Sequence, residues 1–159
     1  MWQTKITSNK ILLILLGAAV VTPFVYANYF FYPAIFPQNI FFRVVASLAF
    51  LYWLFLLQRG KATAVKISFI SLSLVAFIAV AFLSSTINPG FKFSLLDGWE
   101  RMEGLLNYFY LFLFFIAAAS VFEQKENWLK ILRLATLVNF LMACLAILQS
   151  LPVSFLVNG

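Results

Sequence analysis

Five long runs of uncharged, apolar residues limit what this chain can fold into more than any other feature of it. A bilayer's hydrocarbon core is about 30 Å thick, so a helix that rises about 1.5 Å per residue needs about 20 apolar residues to cross it. The chain is 64% hydrophobic and only 10% charged, whereas a soluble domain is about a quarter charged. We therefore expect an all-α fold, a polytopic transmembrane helix bundle, and not a soluble globular domain.

Charge, glycine and proline mark where the predicted spans end. Gln-Arg-Gly-Lys at 58–61 ends the second run, Asn-Pro-Gly at 88–90 ends the third, and Pro152 closes the fifth. Without an internal repeat or a linker, 1–159 is expected to be a single transmembrane region. The half-polar stretch 91–104 is expected to form a short interfacial helix on the outer side. The predicted spans are about 11–31, 40–57, 66–85, 105–122 and 129–151.

Basic residues predict the orientation, because short cytoplasmic loops carry the excess of Lys and Arg. With the N-terminus inside, eight of the eleven basic residues and two of the five acidic residues fall on the inner side. This predicts a multi-pass protein of a bacterial cytoplasmic membrane with a cytoplasmic N-terminus. A cleaved signal peptide is the alternative for the first span, since Val-Tyr-Ala at 25–27 fits a cleavage pattern. Inner basic residues are Lys5, Lys10, Arg59, Lys61, Lys66, Lys125, Lys130 and Arg133.

Composition also argues against several classes of function. A net charge of +6 is compatible with nucleic-acid binding, but the basic residues flank apolar runs, so membrane lipids are the expected partners and nucleic acid is not. Cys144 is the only cysteine, and the chain has no histidine. A disulfide framework, a Cys-based metal site and a histidine base are therefore excluded. We predict no metal, no cofactor and no catalytic residue in this chain.

The outer stretch before the fourth span carries most of the candidate site residues. One interpretation is an amphipathic connector whose charges are solvated and whose Trp99 anchors at the headgroups. The other is that Arg101, with Lys92 and Arg43, binds a lipid-linked diphosphate, because guanidinium groups bind phosphate oxygens bidentately. Asp97, Glu100 and Glu103 are then expected to orient Arg101 and not to act as catalytic bases.

Three further residues lie within the predicted spans. Arg43, about three residues into the second span, is either an interfacial arginine that extends to the headgroups or an outer phosphate contact. Asn107 and Asn139 are expected to bridge neighbouring helices, as buried amides in membranes do. The small-residue segments 17–19 and 117–120 are expected where helices approach closely.

The outer stretch also carries a resemblance to a known family. The sequence Trp-Glu-Arg-Met-Glu-Gly-Leu-Leu at 99–106, which includes Gly104, is followed by an aromatic span, by Ala-Ser-Val-Phe at 119–122, by Trp128 and by Leu-Gln at 148–149. Together with Phe-Phe-Arg at 41–43, it resembles the N-terminal half of bacterial O-antigen ligase and O-antigen polymerase-like membrane proteins. The similarity runs from about Pro23 to Gln149, and its specific part is Glu-Arg-Met-Glu-Gly-Leu-Leu.

The resemblance implies a glycosyltransferase that moves a glycan from a polyprenyl-diphosphate carrier to an acceptor at the outer face of the membrane. Family members have about ten to twelve spans and a later outer loop with an essential histidine. With five predicted spans and no histidine, this chain is expected to be an inactive N-terminal portion of such an enzyme. The alternative is a small non-enzymatic multi-pass protein that scaffolds or stabilises a partner membrane protein. A transporter fragment is disfavoured, because paired broken helices are not visible.

Overall fold

Five helices form from the apolar runs in the part of the chain that the structure describes. The structure is a computed structural model, and it describes residues 2–29, 32, 35–60, 62, 69–87, 104–121 and 125–150. Within these ranges the fold is all-α, as predicted. The helices are α1 (Trp2–Val20), α2 (Ile35–Gln58), α3 (Phe69–Ile87), α4 (Leu105–Val121) and α5 (Lys125–Ser150), and a 3-10 turn (Thr22–Phe24) follows α1.

Helix α1 differs most from the sequence-based expectation of a span at 11–31. It begins at Trp2, because its polar first half contains neither proline nor glycine, and it ends at Val20. Pro23 has no N–H with which to continue the helical pattern to the carbonyl of Ala19. The Thr22 hydroxyl donates to that carbonyl instead, at 2.6 Å. The chain then leaves the helix through the 3-10 turn, so no helix continues to residue 31.

The other helices lie closer to their predicted bounds. Helix α2 begins five residues before the expected start, since Pro37 falls in its first turn, where a missing N–H costs nothing. It ends where Gly60 adopts a left-handed conformation with φ of 64° and donates its N–H to the carbonyl of Leu57 at 3.0 Å. Glycine adopts this conformation without strain, so it commonly ends a helix. The expected interfacial helix at 91–104 lies outside the described residues, apart from Gly104.

A buried cluster holds α1, α2 and α4 together. Its members come from the second half of α1, the second half of α2 and the end of α4. Near the start of α2, Gln38 donates to the carbonyl of Pro23, which follows α1. Arg43, also near that start, lies beside Tyr110 in the first half of α4. Near its end, α2 shares the buried cluster with earlier residues of α1 and with the last residues of α4, so α2 runs antiparallel to α1 and parallel to α4. The cluster consists of Leu12, Leu16, Ala49, Trp53, Leu56, Ala117, Ala118 and Val121. Ala117 and Ala118 are buried, which confirms the predicted close-approach face in α4.

Helix α5 packs against α1 at a glycine. A Cβ atom added at Gly17 would lie 3.3 Å from Cδ2 of Leu134 and 3.9 Å from Cδ1 of Ile131. Glycine therefore permits this approach, as the small-residue pattern predicted. Asn127 is buried and donates from Nδ2 to the carbonyl of Val121 at 3.2 Å, which joins the start of α5 to the end of α4.

Helix α3 contacts the bundle through α4. The rings of Phe77 and Tyr108 meet edge to face with centroids 5.6 Å apart. Ser85 is the one buried residue of α3, and all its other residues are half-buried or exposed. The hydroxyl of Ser85 donates to the carbonyl of Ala81, one turn earlier, at 2.8 Å, so this polar group is satisfied within its own helix.

Candidate functional site

The structure describes two of the eight residues that the sequence marks as candidates, Arg43 and Gly104. Residues Lys92, Asp97, Trp99, Glu100, Arg101 and Glu103 lie outside the described ranges. The described part of the candidate site consists of Arg43, Gly104 and the side chains that lie around Arg43.

Arg43 lies deeper in its helix than the sequence predicted. It is the ninth residue of α2, not about the third of a span, and eight steps of about 1.5 Å place it about 12 Å from the start of the helix. Its side chain is half-buried, and its Nε is inaccessible to solvent. Cζ lies 5.6 Å from the centroid of the Tyr110 ring, within the range of a cation–π interaction.

Polar residues on α2 and α4 accompany Arg43. Asn39 lies one turn before it on the same face of α2, and Asn107 lies one turn before Tyr110 on α4. Because α2 and α4 are parallel, we group Asn39, Arg43, Asn107 and Tyr110 as the Arg43 cluster. Phe42 and Phe114, with ring centroids 5.6 Å apart, lie where the two helices pack next to it. Our sequence analysis missed Asn39 and Tyr110, although their helical spacing from Arg43 and Asn107 is a signal that could have found them.

Asn107 retains hydrogen-bonding capacity. Its side chain is half-buried, and the buried Oδ1 accepts no hydrogen bond from the described residues. Its backbone N–H donates to the carbonyl of Gly104 at 2.8 Å, which closes the first turn at the start of α4. A buried amide oxygen without a donor is uncommon in folded proteins. Oδ1 of Asn107 can therefore still accept a hydrogen bond within the Arg43 cluster.

Gly104 lies directly before α4 and is buried. Unpaired N–H groups at the start of a helix carry a partial positive charge of about half an elementary charge. The start of α4 and the guanidinium of Arg43 therefore contribute the same sign of potential near the Arg43 cluster. This electrostatic arrangement favours an anion over a cation.

The two asparagines predicted to bridge helices differ. Asn107 is half-buried beside the contact between α2 and α4. Asn139 is exposed on α5, so the prediction that it packs between helices of this chain is wrong for the described helices. Helical periodicity explains the difference, because Val138 next to it is the buried residue that faces the bundle.

The acidic side chains and the cysteine in the described part of the chain do not form a cluster. Those ranges contain no group of three or more such side chains that could hold a metal ion. Cys144 is a half-buried free thiol on α5. Glu126 lies exposed in the first turn of α5, where a carboxylate is favourable for the helix dipole.

The fold places this chain in a structural class, although comparison with known proteins does not narrow that class further. Three of the described helices, α2, α3 and α5, are long and apolar enough to cross a membrane. The chain is thus an all-α protein with the features of a multi-pass membrane protein. No family model matches it, and no curated protein or solved structure matches it significantly.

Proposed function

We propose that the five apolar runs of the sequence cross a bacterial cytoplasmic membrane, with the N-terminus in the cytoplasm. The directions of α1, α2, α4 and α5 support this topology, because α1 and α5 begin at the end of the bundle where α2 and α4 finish. The described basic residues support it too. Lys10, Arg59, Lys125, Lys130 and Arg133 all flank that end, and Arg43 lies in the other half of the bundle.

We further propose that the chain is the N-terminal membrane portion of an O-antigen ligase-like glycosyltransferase, which takes glycan from a polyprenyl-diphosphate carrier at the outer face. The observation that carries this proposal is the resemblance in the segment Glu-Arg-Met-Glu-Gly-Leu-Leu at 100–106. That segment leads directly into α4, whose first turns contribute Asn107 and Tyr110 to the Arg43 cluster. In the sequence, Arg101 precedes the first residue of α4 by four positions. A single carrier that binds both Arg101 and Arg43 would therefore contact the start of α4.

The Arg43 cluster suits the diphosphate of such a carrier in three respects. Arg43 supplies a permanent positive charge and up to two parallel hydrogen bonds to phosphate oxygens. The start of α4 adds positive potential of the same sign. The apolar surfaces of α3 and α4 beside it, including exposed Phe109 and Leu111, suit a polyprenyl chain. These residues would bind and orient the carrier, and we assign none of them a catalytic role.

Binding of a polyprenyl diphosphate to the chain in lipid nanodiscs tests the proposal. Arg43→Ala should weaken binding about 10-fold or more, because a hydrogen bond to a charged group contributes about 1.5–3 kcal/mol. Arg59→Ala is the matched control. It removes the same charge from the opposite end of α2, where the guanidinium lies over its own helix's Phe55 ring at 4.2 Å.

Two outcomes would decide against the diphosphate site. One is equal affinity of wild type, Arg43→Ala and Arg59→Ala. The other is an equal loss in both variants, which would indicate non-specific attraction of an anion to a basic protein. Arg43→Lys keeps the charge but not the bidentate geometry, so we expect it to recover binding only in part.

The second candidate function is a non-enzymatic scaffold for a partner membrane protein. The observation that favours it is the large apolar surface of α3 and α5, which the described helices leave uncovered. This function predicts no specific diphosphate binding and co-purification of a distinct membrane protein at stoichiometric yield. In the complete protein, loss of glycan transfer on Arg101→Ala would favour the transferase instead.

A further inference from the structure

Asn139 is a polar side chain on the exposed surface of an apolar helix. It lies six residues after Arg133, the last basic residue of α5, and ten before Gln149. At about 1.5 Å per residue it is about 9 Å beyond the charged start of the helix. The structure records no hydrogen bond for its side chain within the described ranges. If α5 spans the bilayer, this amide meets hydrocarbon, where no water can bond to it.

The residues that share a face with Asn139 follow a regular spacing. Steps of three and four residues alternate along the whole face, which we call the Asn139 face. Residues three and four apart lie on the same side of a helix, so these side chains form one continuous stripe along α5. The hydroxyl of Thr136 already donates to the carbonyl of Leu132, at 2.9 Å. The face comprises Leu129, Leu132, Thr136, Asn139, Ala143 and Ala146, all of which are exposed.

The Asn139 face is separate from the face by which α5 packs on α1. Ile131 and Leu134 lie nearest to Gly17 of α1, and Val138 is the buried residue one turn further along. Adjacent residues of a helix point about 100° apart, so Asn139 points about a quarter of a turn away from Val138. Another helix can therefore pack on the Asn139 face without displacing α1.

We propose that the Asn139 face binds the same face of a second copy of this chain. An amide side chain carries both a donor, Nδ2, and an acceptor, Oδ1, so two asparagines related by a two-fold axis satisfy each other. All copies insert into the membrane in one orientation, so their α5 helices are parallel and Asn139 lies opposite Asn139. Ala143 and Ala146 then allow the two backbones to approach closely. The inference rests on the membrane topology proposed above but not on diphosphate binding.

Oxidative cross-linking in proteoliposomes tests the geometry. The full chain with Cys144→Ala is the background, and Ala143→Cys places a single thiol on the Asn139 face. Leu137→Cys, on an exposed position about a third of a turn away from it, is the matched control. We expect a disulfide-linked dimer with Ala143→Cys, and little with Leu137→Cys, at a lipid-to-protein ratio at which random collisions are rare.

Dilution of two fluorescently labelled pools of the chain in bilayers measures the role of the amide. Asn139→Leu should raise the dimer dissociation constant about 3- to 30-fold, the range that interhelical hydrogen bonds in membranes support. Asn139→Gln keeps the donor and acceptor and should remain near wild type. Leucine favours membrane insertion, so failure to insert does not confound the comparison.

Three results would overturn the inference. They are a monomer at every dilution, equal cross-linking at residues 137 and 143, and a dimer that Asn139→Leu does not weaken. Cross-linking of Ala143→Cys to a different membrane protein would assign the face to that partner and would also overturn it. Extraction of the chain from membranes by alkaline carbonate would contradict the membrane topology itself. The diphosphate proposal is tested separately from the dimer, by the binding assay with the Arg43 variants.

Discussion

The most apolar stretches of α2 and α3 have the same mean hydropathy, yet α2 packs against two neighbours and α3 is exposed along most of its length. In the most apolar stretch of α2, 28% of the residues are buried, compared with 6% in α3. The most apolar stretch of α5 matches that of α3 in both mean hydropathy and exposure. Lipid is as apolar as a leucine side chain, so hydropathy places a helix in a membrane but does not choose its neighbours. Packing of small and matched side chains makes that choice.

Truncation of a leucine should show the largest difference in stability between the buried cluster of α1, α2 and α4 and the exposed helix α3. Leu16→Ala removes a fully buried side chain from the cluster of α1, α2 and α4. We expect a loss of about 2–4 kcal/mol in the free energy of unfolding, because the cavity forfeits packing contacts on all sides. Leu83→Ala on α3, where the leucine is 60% exposed, is the control and should cost far less. Unfolding by SDS in mixed micelles measures both, and equal losses would remove the distinction between packed and exposed helices.

The next effect concerns the contact between α1 and α5. Gly17→Val adds a branched side chain where even a Cβ would lie 3.3 Å from Leu134. Overpacking of this kind costs about 1–3 kcal/mol, and we expect α5 to move away from α1 while α2 and α4 stay in place. Spin-label distances between α1 and α5, and between α1 and α2, would report the change. A change in both distances would mean that α5 is part of the core and not an attached helix.

The smallest effect sharpens the comparison within α5, whose two asparagines lie in different surroundings. Asn127→Ala removes the hydrogen bond from Nδ2 to the carbonyl of Val121. We expect a loss of about 1 kcal/mol in monomer stability, the usual contribution of one buried hydrogen bond. Asn139→Ala should leave monomer stability unchanged, since its side chain is exposed. Unfolding at a dilution that separates copies is the measurement, and a reversed order would contradict the burial of Asn127.

The sequence predicts the fold class well, because long uncharged runs permit little besides helices, and the predicted ends of α2 and α4 lie within one residue of those observed. The end of α1 was harder to predict. Apolar residues continue past it, and its position depends on Pro23 and on the Thr22 hydroxyl that replaces a backbone donor. The neighbours of each helix were not predictable either, since all five runs carry much the same side chains.

The candidate site was predicted only in part for a similar reason. Arg43 stands out in the sequence as a charge within an apolar run, whereas Tyr110 resembles the many other aromatic residues around it. Its importance arises only when α2 and α4 lie in parallel contact and its ring lies near Arg43. A single sequence contains the helical spacing within each element, but it does not contain the pairing of elements that are 67 residues apart.

The parallel contact between α2 and α4 determines which sequence changes α3 can tolerate. In the proposed topology α2 and α4 are both membrane spans that run in the same direction, so one span of opposite direction has to lie between them, and α3 is the helix between them in the sequence. Its length and apolar character are therefore required, while the identity of most of its side chains is not. We expect α3 to tolerate exchange for an unrelated apolar segment of equal length, whereas removal of the whole helix would reverse α4 and separate Tyr110 from Arg43.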